Sequence, residues 1–227
     1  MRDSDVRGAV RTWLQAQYID DSRIVEEMGI WSGSVRIDIA VINGELHGFE
    51  LKSERDTLAR LADQAELYNQ VFDRITLVTA RRHLDKARLQ IPSWWGITTA
   101  HFGVNGSVTL KPIKKAGRNK NVDPLQLARL LWRPEALALL ERRGFSRGFK
   151  SRTAEVLAAR LAEVLSLSEL AAEVRAILKS RSGWLGEPVS DERQVTVGSI
   201  AGPLWSASGR MSAGGDLLDS AVSPTSD

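Results

Sequence analysis

The segment that most constrains the fold is residues 35–52, V-R-I-D-I-A-V-I-N-G-E-L-H-G-F-E-L-K. Two alternating apolar runs flank Asn43-Gly44, a strong short-range signal for a β-hairpin. Side chains alternate between faces along a strand, so loop length decides which residues share a face. A two-residue loop, Asn43-Gly44, pairs Asp38 with Phe49 and sends Glu50 to the other face. A three-residue loop, Asn43-Gly44-Glu45 with a left-handed glycine, pairs Ile37 with Leu51, Ile39 with Phe49 and Val41 with His47. Five of those six residues are apolar and make a core face. The pattern therefore favours the second register. It gathers Asp38, Glu50 and Lys52 on the opposite face, with Arg36 beside them.

That grouping has a chemical meaning. Two facing carboxylates repel, and their pKa values rise unless a cation sits between them. Mg²⁺, with Mn²⁺ as a substitute, takes hard oxygen ligands and keeps several waters. It would acidify a bound water and bind a phosphate oxygen. Lys52 would orient or deprotonate that water, or neutralise charge on the phosphorus centre. Taken alone, the D-x₁₁-E-x-K spacing is better explained by a surface salt-bridge ladder.

The rest of the chain supplies context. Val6, Val10, Trp13 and Leu14 form the apolar stripe of a first helix, which Ser4 would cap. Residues 23–28, 35–42, 46–52, 74–80, 97–103 and 107–112 read as strands. Residues 56–72 and 83–90 read as helices, the first with Leu58, Leu61, Ala65, Tyr68 and Phe72 on one stripe. The order α-β-β-β-α-β-α-β-β is that of a layered α/β domain over residues 1–121. After a basic linker at 114–121, four helices follow at 124–132, 134–143, 151–165 and 167–180. Pro124 and Pro134 suit first turns. These helices make an all-α subdomain, 122–182. Residues 183–227 read as a disordered acidic tail, rich in Gly, Ser, Pro and Asp.

In this setting Asp38 followed by Glu50-Leu51-Lys52 resembles the PD-(D/E)XK nuclease superfamily. Gln64-Ala65-Glu66-Leu67-Tyr68 is similar to the Q-x-x-x-Y helix of one branch, and a small bacterial and phage group within it is the nearest likeness. The resemblance spans about residues 5–180. It implies a restriction-endonuclease-like core, a mixed sheet flanked by helices, and Mg²⁺-dependent hydrolysis of phosphodiester bonds, in DNA by family analogy. Asp38, Glu50 and the Leu51 carbonyl would bind the metal, helped by Glu26 or, preferably, Glu27. Lys52 would be catalytic, with Gln64 and Tyr68 supporting the site. No Pro precedes Asp38; Ile37 stands there. A nucleic-acid-binding or regulatory protein on the same fold is the alternative, as is a subunit of a mobile-element or defence system that needs a partner.

Charge bears on the partner. The net +3 divides into +3 for residues 1–121, +4 for 122–182 and −4 for 183–227. Residues 81–120 hold nine Lys and Arg against Asp85 alone, a distribution suited to a polyanion. The segment Leu137 to Leu161 is similar to the helix–extended loop–helix of SAP-type DNA-binding modules, and a plain helical bundle explains it equally well. On the first reading Arg142, Arg143, Arg147, Lys150 and Arg152 would grip phosphates, with Arg36 and Arg60 adding contacts on the α/β part. Trp94 and Trp95 read as core anchors, Trp31–Ser34 as a plain loop, and His47 as a hairpin-end residue. The absence of Cys excludes disulfides, thiolate metals and a Cys nucleophile. No apolar run is long enough to span a membrane, and Met1–Asp5 is too polar for a signal peptide. The expectation is a globular cytoplasmic protein, with a homodimer or a partner chain left open by the sequence.

Overall fold

The hairpin closes on three residues. The Asn43 amide donates to the Glu45 carbonyl at 3.1 Å, and the Glu45 amide donates to Asn43 Oδ1 at 2.9 Å. Ile39 pairs with Phe49, Ala40 with Gly48, Val41 with His47 and Ile42 with Leu46, which is the favoured register. One detail differs. Among the described residues the positive-φ glycines are Gly106, Gly144, Gly148 and Gly183; Gly44 is not one of them. The Asn43 side chain caps the loop from within, so a left-handed glycine is not needed.

In this computed structural model, residues 1–18, 21–30 and 35–184 are described. The expected tail falls almost wholly outside them, as does the loop Trp31–Ser34. Six strands, β1 Arg23–Ile30, β2 Val35–Ile42, β3 Leu46–Lys52, β4 Arg74–Ala80, β5 Gly96–Phe102 and β6 Val108–Lys114, form one sheet in sequence order. β3, β4 and β5 run parallel, while the outer pairs are antiparallel. Parallel neighbours need a crossover. Helix α2 Leu61–Tyr68 supplies the first, and a 3-10 turn at Arg81–His83 with α3 Leu84–Arg88 supplies the second. The molecule is thus a mixed α/β fold. β6 lies at a sheet edge and carries exposed Lys111 and Lys114 and half-buried Pro112, residues that discourage edge pairing.

Helix α1, Asp3–Gln17, packs Val6, Val10 and Leu14 against Ile39, Val41, Phe49, Leu51, Val78 and Ala100. It starts ahead of Ser4, because Arg2 is the cap and its amide donates to the Asp5 carboxylate at 2.7 Å. Helix α2 is shorter than its stripe suggests. Ser53 and Asp56 bond each other, amide to carboxylate at 2.7 Å, and hold a turn where the helix was expected to begin. Its buried Leu61, Ala65 and Tyr68 join Ala40, Ile42, Ile75 and Leu77 in the larger core. Helices α4 Pro124–Ala128, α5 Arg133–Arg142, α6 Ala154–Val164 and α7 Leu167–Ser180 contribute Leu127, Leu139, Leu140, Leu161, Leu170 and Val174 to that same core.

The basic segment 114–121 is fastened down. Asn119 is buried, and its amide nitrogen donates to the Asn69 and Phe72 carbonyls at 2.6 and 2.9 Å. Trp95 is fully buried, and its indole N–H donates to Asn69 Oδ1 at 2.8 Å. It is the core anchor expected of it. No described helix is long and apolar enough to cross a membrane.

Candidate functional site

The sequence-selected residues converge where β2 parts from β3. Glu50 and Lys52 point from β3 toward α2, and both are buried. Glu50 Oε1 accepts from Lys52 Nζ at 2.5 Å, and the ammonium also reaches Gln64 Oε1 at 3.0 Å. Tyr68 is fully buried. Its hydroxyl lies 2.6 Å from the Arg36 carbonyl and 3.0 Å from Glu50 Oε2, while Gln64 Nε2 donates to it at 3.3 Å. A phenol carries one proton. When that proton goes to the Arg36 carbonyl, the contact with Glu50 is best satisfied by a protonated carboxyl. The electrostatics agree. Burial, then the nearby charge of Asp38, push the Glu50 carboxyl up to about 7 against the pull of Lys52 and Tyr68. Burial and the Glu50 charge also raise the Tyr68 phenol, which stays neutral.

Asp38 lies close enough to Glu50 for its charge to raise that carboxyl, although no ladder pair joins the two residues. The β2–β3 pairing ends at Ile39–Phe49, and Ile37 packs in the α2-side core instead of opposite Leu51. Asp38 Oδ2 takes the Leu51 amide hydrogen at 2.7 Å, standing in for a strand carbonyl. Its Oδ1 accepts from Arg7 Nη2 at 2.8 Å. Burial raises the Asp38 carboxyl, opposed by the Leu51 amide and by Arg7. Glu27 is opposite Asp38 in an otherwise regular β1–β2 register, yet that one pair is missing from the ladder. Its φ of 51° is left-handed, a strained conformation for a non-glycine residue. The Glu27 carboxylate meets the same Arg7 at 2.9 Å and Arg36 at 3.6 Å. Glu26 instead faces Arg11 at 3.7 Å.

Arg7 is the residue that sequence reading passed over. It also holds Asp3, at 3.2 Å, and its Nη1 donates to the Asp38 carbonyl at 3.1 Å. The only local signals were the i, i+4 spacing to Asp3 and a position beside buried Val6. With Arg7 in place, every carboxyl oxygen of Asp38 and Glu50 has a partner within the protein. Among the described residues no three His, Asp or Glu side chains are grouped to hold a metal ion. Of the expected set Asp38, Glu50, Leu51 and Glu27, Arg7 holds Asp38 and Glu27 while Lys52 holds Glu50.

The second expected site is also altered. Arg142 and Arg143 both grip Glu173, at 2.5 and 2.9 Å, and Lys150 faces Glu141 at 3.8 Å. The arginine pairs tie α5 to α7. Arg147 and Arg152 are exposed, and no ion pair involves them among the described residues. Arg60 is exposed at the N-terminus of α2, where its carbonyl accepts from the Gln64 amide at 2.9 Å. His47 stacks on Phe49 at 4.2 Å and contacts Thr76 Oγ1 at 2.9 Å, as befits a hairpin-end residue.

A family model described as Bacteriophage P4 protein cII matches residues 1–186. Protein cII of Enterobacteria phage P4 is 29% identical over 184 residues, covering 80% of this chain and 68% of that protein. A solved structure, the SPO1766 protein of unknown function from Silicibacter pomeroyi, is 18% identical, covers 67% of this chain and 95% of its own, and superposes with a TM-score of 0.38. That last likeness is too slight to assign a shared fold. The first two overturn the PD-(D/E)XK resemblance, and the description as a nuclease or hydrolase that came with it. The matched span runs through the hairpin, α2 and the helical part alike, and the relatives it brings are phage cII proteins.

Proposed function

Because the chain belongs to the bacteriophage P4 protein cII family, we propose that it is a nucleic-acid-binding regulatory protein, with DNA as its partner and the host cytoplasm as its place of action. The supporting observation is the state of the basic stretch. Arg81, Arg82, Lys86, Arg88, Lys111, Lys114, Lys115, Arg118 and Lys120 are all solvent-accessible, most of them fully exposed. None of the nine is in an ion pair with a described residue. Elsewhere Arg7, Arg74, Arg142, Arg143, Arg175 and Arg181 each hold a carboxylate. Cations left without carboxylates attract a polyanion and release its condensed counterions on binding.

Fluorescence anisotropy with labelled duplex DNA, single-stranded DNA and RNA over a salt series tests this. The logarithm of the affinity should fall linearly with the logarithm of salt concentration, by roughly 0.9 per phosphate neutralised on duplex DNA. Replacing Arg81, Arg82, Lys86 and Arg88 together by Gln, or Lys111, Lys114, Lys115, Arg118 and Lys120 together, should weaken binding and flatten that slope. Salt-independent affinity, or affinity unchanged in both variants, would refute the reading. The same mixtures with Mg²⁺, Mn²⁺ or EDTA should leave the nucleic acid uncut. Cleavage that EDTA stops and Lys52→Ala abolishes would replace the regulatory reading by an enzymatic one.

A further inference from the structure

We propose that Arg7 is a built-in cation for the Asp38–Glu27 pair, making the carboxylate cluster a metal-independent latch that holds α1 on the sheet. Three observations carry this beyond the DNA-binding reading. The first is charge. Asp38 and Glu27 meet the cations Arg7 and Arg36, with Asp3 also on Arg7. A hard divalent ion is drawn to negative oxygen ligands that lack a counter-charge, and here Arg7 already supplies that charge. The second is geometry. The Arg7 fork spans Asp38 Oδ1 at 2.8 Å, the Asp38 carbonyl at 3.1 Å and Glu27 Oε1 at 2.9 Å. A planar, permanently charged guanidinium fits several acceptors at once in a way a lysine does not. The third is placement. The β1–β2 ladder lacks one pair, Glu27 with Asp38, and β2 leaves β3 at the same level. Arg7 from α1 fills that break, taking the Asp38 carbonyl as well as its carboxylate.

Helix α1 is otherwise held by the apolar contacts of Val6, Val10 and Leu14, by Arg11 facing Glu26 at 3.7 Å and by the Met1 amino group on Glu54 at 2.8 Å. The latch fixes the rotation of the helix as well as its distance from the sheet. Losing Arg7 would leave Asp38 without its ion-pair partner and Glu27 with Arg36 alone, at 3.6 Å.

The test uses the full chain. Mn²⁺ titration followed by electron paramagnetic resonance of the free ion should find no site on the wild-type protein at millimolar ion. Its melting temperature should be the same in EDTA and in Mn²⁺. Arg7→Ala should lower the melting temperature by about 5 °C or more, Arg7→Lys by less, and Asp38→Asn added to Arg7→Ala should recover part of the loss. An Mn²⁺ site on the wild-type protein that Asp38→Asn removes would overturn the proposal. So would an Arg7→Ala protein that melts with the wild type. If Arg7→Ala does not fold, Arg7→Lys and the wild-type titration decide between the same outcomes.

Discussion

Replacing Glu50 by Gln should change how stability depends on pH. Burial and the neighbouring Asp38 charge lift this carboxyl from 4.5 to about 7. The fold therefore holds a proton that the unfolded chain has released. For such a group the stabilisation is fully present below the unfolded value and is lost as pH rises through the folded one. At about 1.4 kcal/mol per unit the loss is about 3 kcal/mol between pH 4.5 and 7. For a domain of this size that corresponds to roughly 6–12 °C in melting temperature. The wild-type curve alone does not isolate it. Burial pushes His47 from 6.5 down to about 3, a lowered histidine whose contribution is lost as pH falls through the same range. The glutamine amide has the shape of the protonated carboxyl and does not titrate, so the difference between the two proteins carries the Glu50 contribution. Circular dichroism melts from pH 4.5 to 8 should show the Glu50→Gln variant gaining on the wild type by that amount as pH rises. Parallel curves would mean that Glu50 is ionised throughout, as an ordinary partner of Lys52.

Two further substitutions test the packing around the site. Tyr68→Phe keeps the ring on Trp95, 6.4 Å between centroids, but strips a partner from Glu50 and the Arg36 carbonyl. It should cost about 2 kcal/mol, roughly 4–8 °C on melting, and a loss under about 1 °C would show that the hydroxyl contributes nothing. Gly96→Ala would set a Cβ 2.7 Å from Thr76 Oγ1 and 2.8 Å from the Ala116 amide nitrogen. Since Gly96 pairs with Thr76 across β4–β5, backbone must move, at a cost of about 2 kcal/mol. A urea unfolding midpoint equal to that of the wild type would contradict this.

The parts of the fold legible in sequence were those set by local periodicity. Alternation alone fixed the three-residue loop and the Ile39–Phe49 register, and β2, β3 and β4 begin and end where they were expected to. What the sequence hid was long-range and polar. Nothing near Asp38 announces that Arg7, 31 positions earlier, will take its carboxylate. Alternation also assumes that a ladder continues, and here it stops one residue short of the pair on which the Asp38–Glu50 grouping depended. The arginines of residues 142–152 raise the same difficulty. As a string they look like a phosphate grip, but Glu173 lies 30 residues after Arg143 in sequence and closes on it in space. A charged residue's partner decides its role, and the partner is set by tertiary packing.

The neutrality of the cluster bears on nucleic-acid binding. Lys52 pairs with Thr79 on β4, and two residues on begin the cations Arg81 and Arg82, which hold no carboxylate. Three bare carboxylates at that end of the sheet would repel a phosphate backbone and cancel the field of the basic stretch. Arg7 and Arg36 offset Asp38 and Glu27 from within the chain, and Glu50 is held by Lys52 with its carboxyl raised toward the neutral form. Each carboxyl oxygen of Asp38 and Glu50 thus already has a partner within the chain. On the proposed binding role, the residues that would make a hydrolytic centre when open to a metal are instead closed by arginine and lysine. Asp38, Glu50 and Lys52 are identical in the two cases, so their spacing does not separate them; the cleavage assay with Mg²⁺, Mn²⁺ and EDTA does.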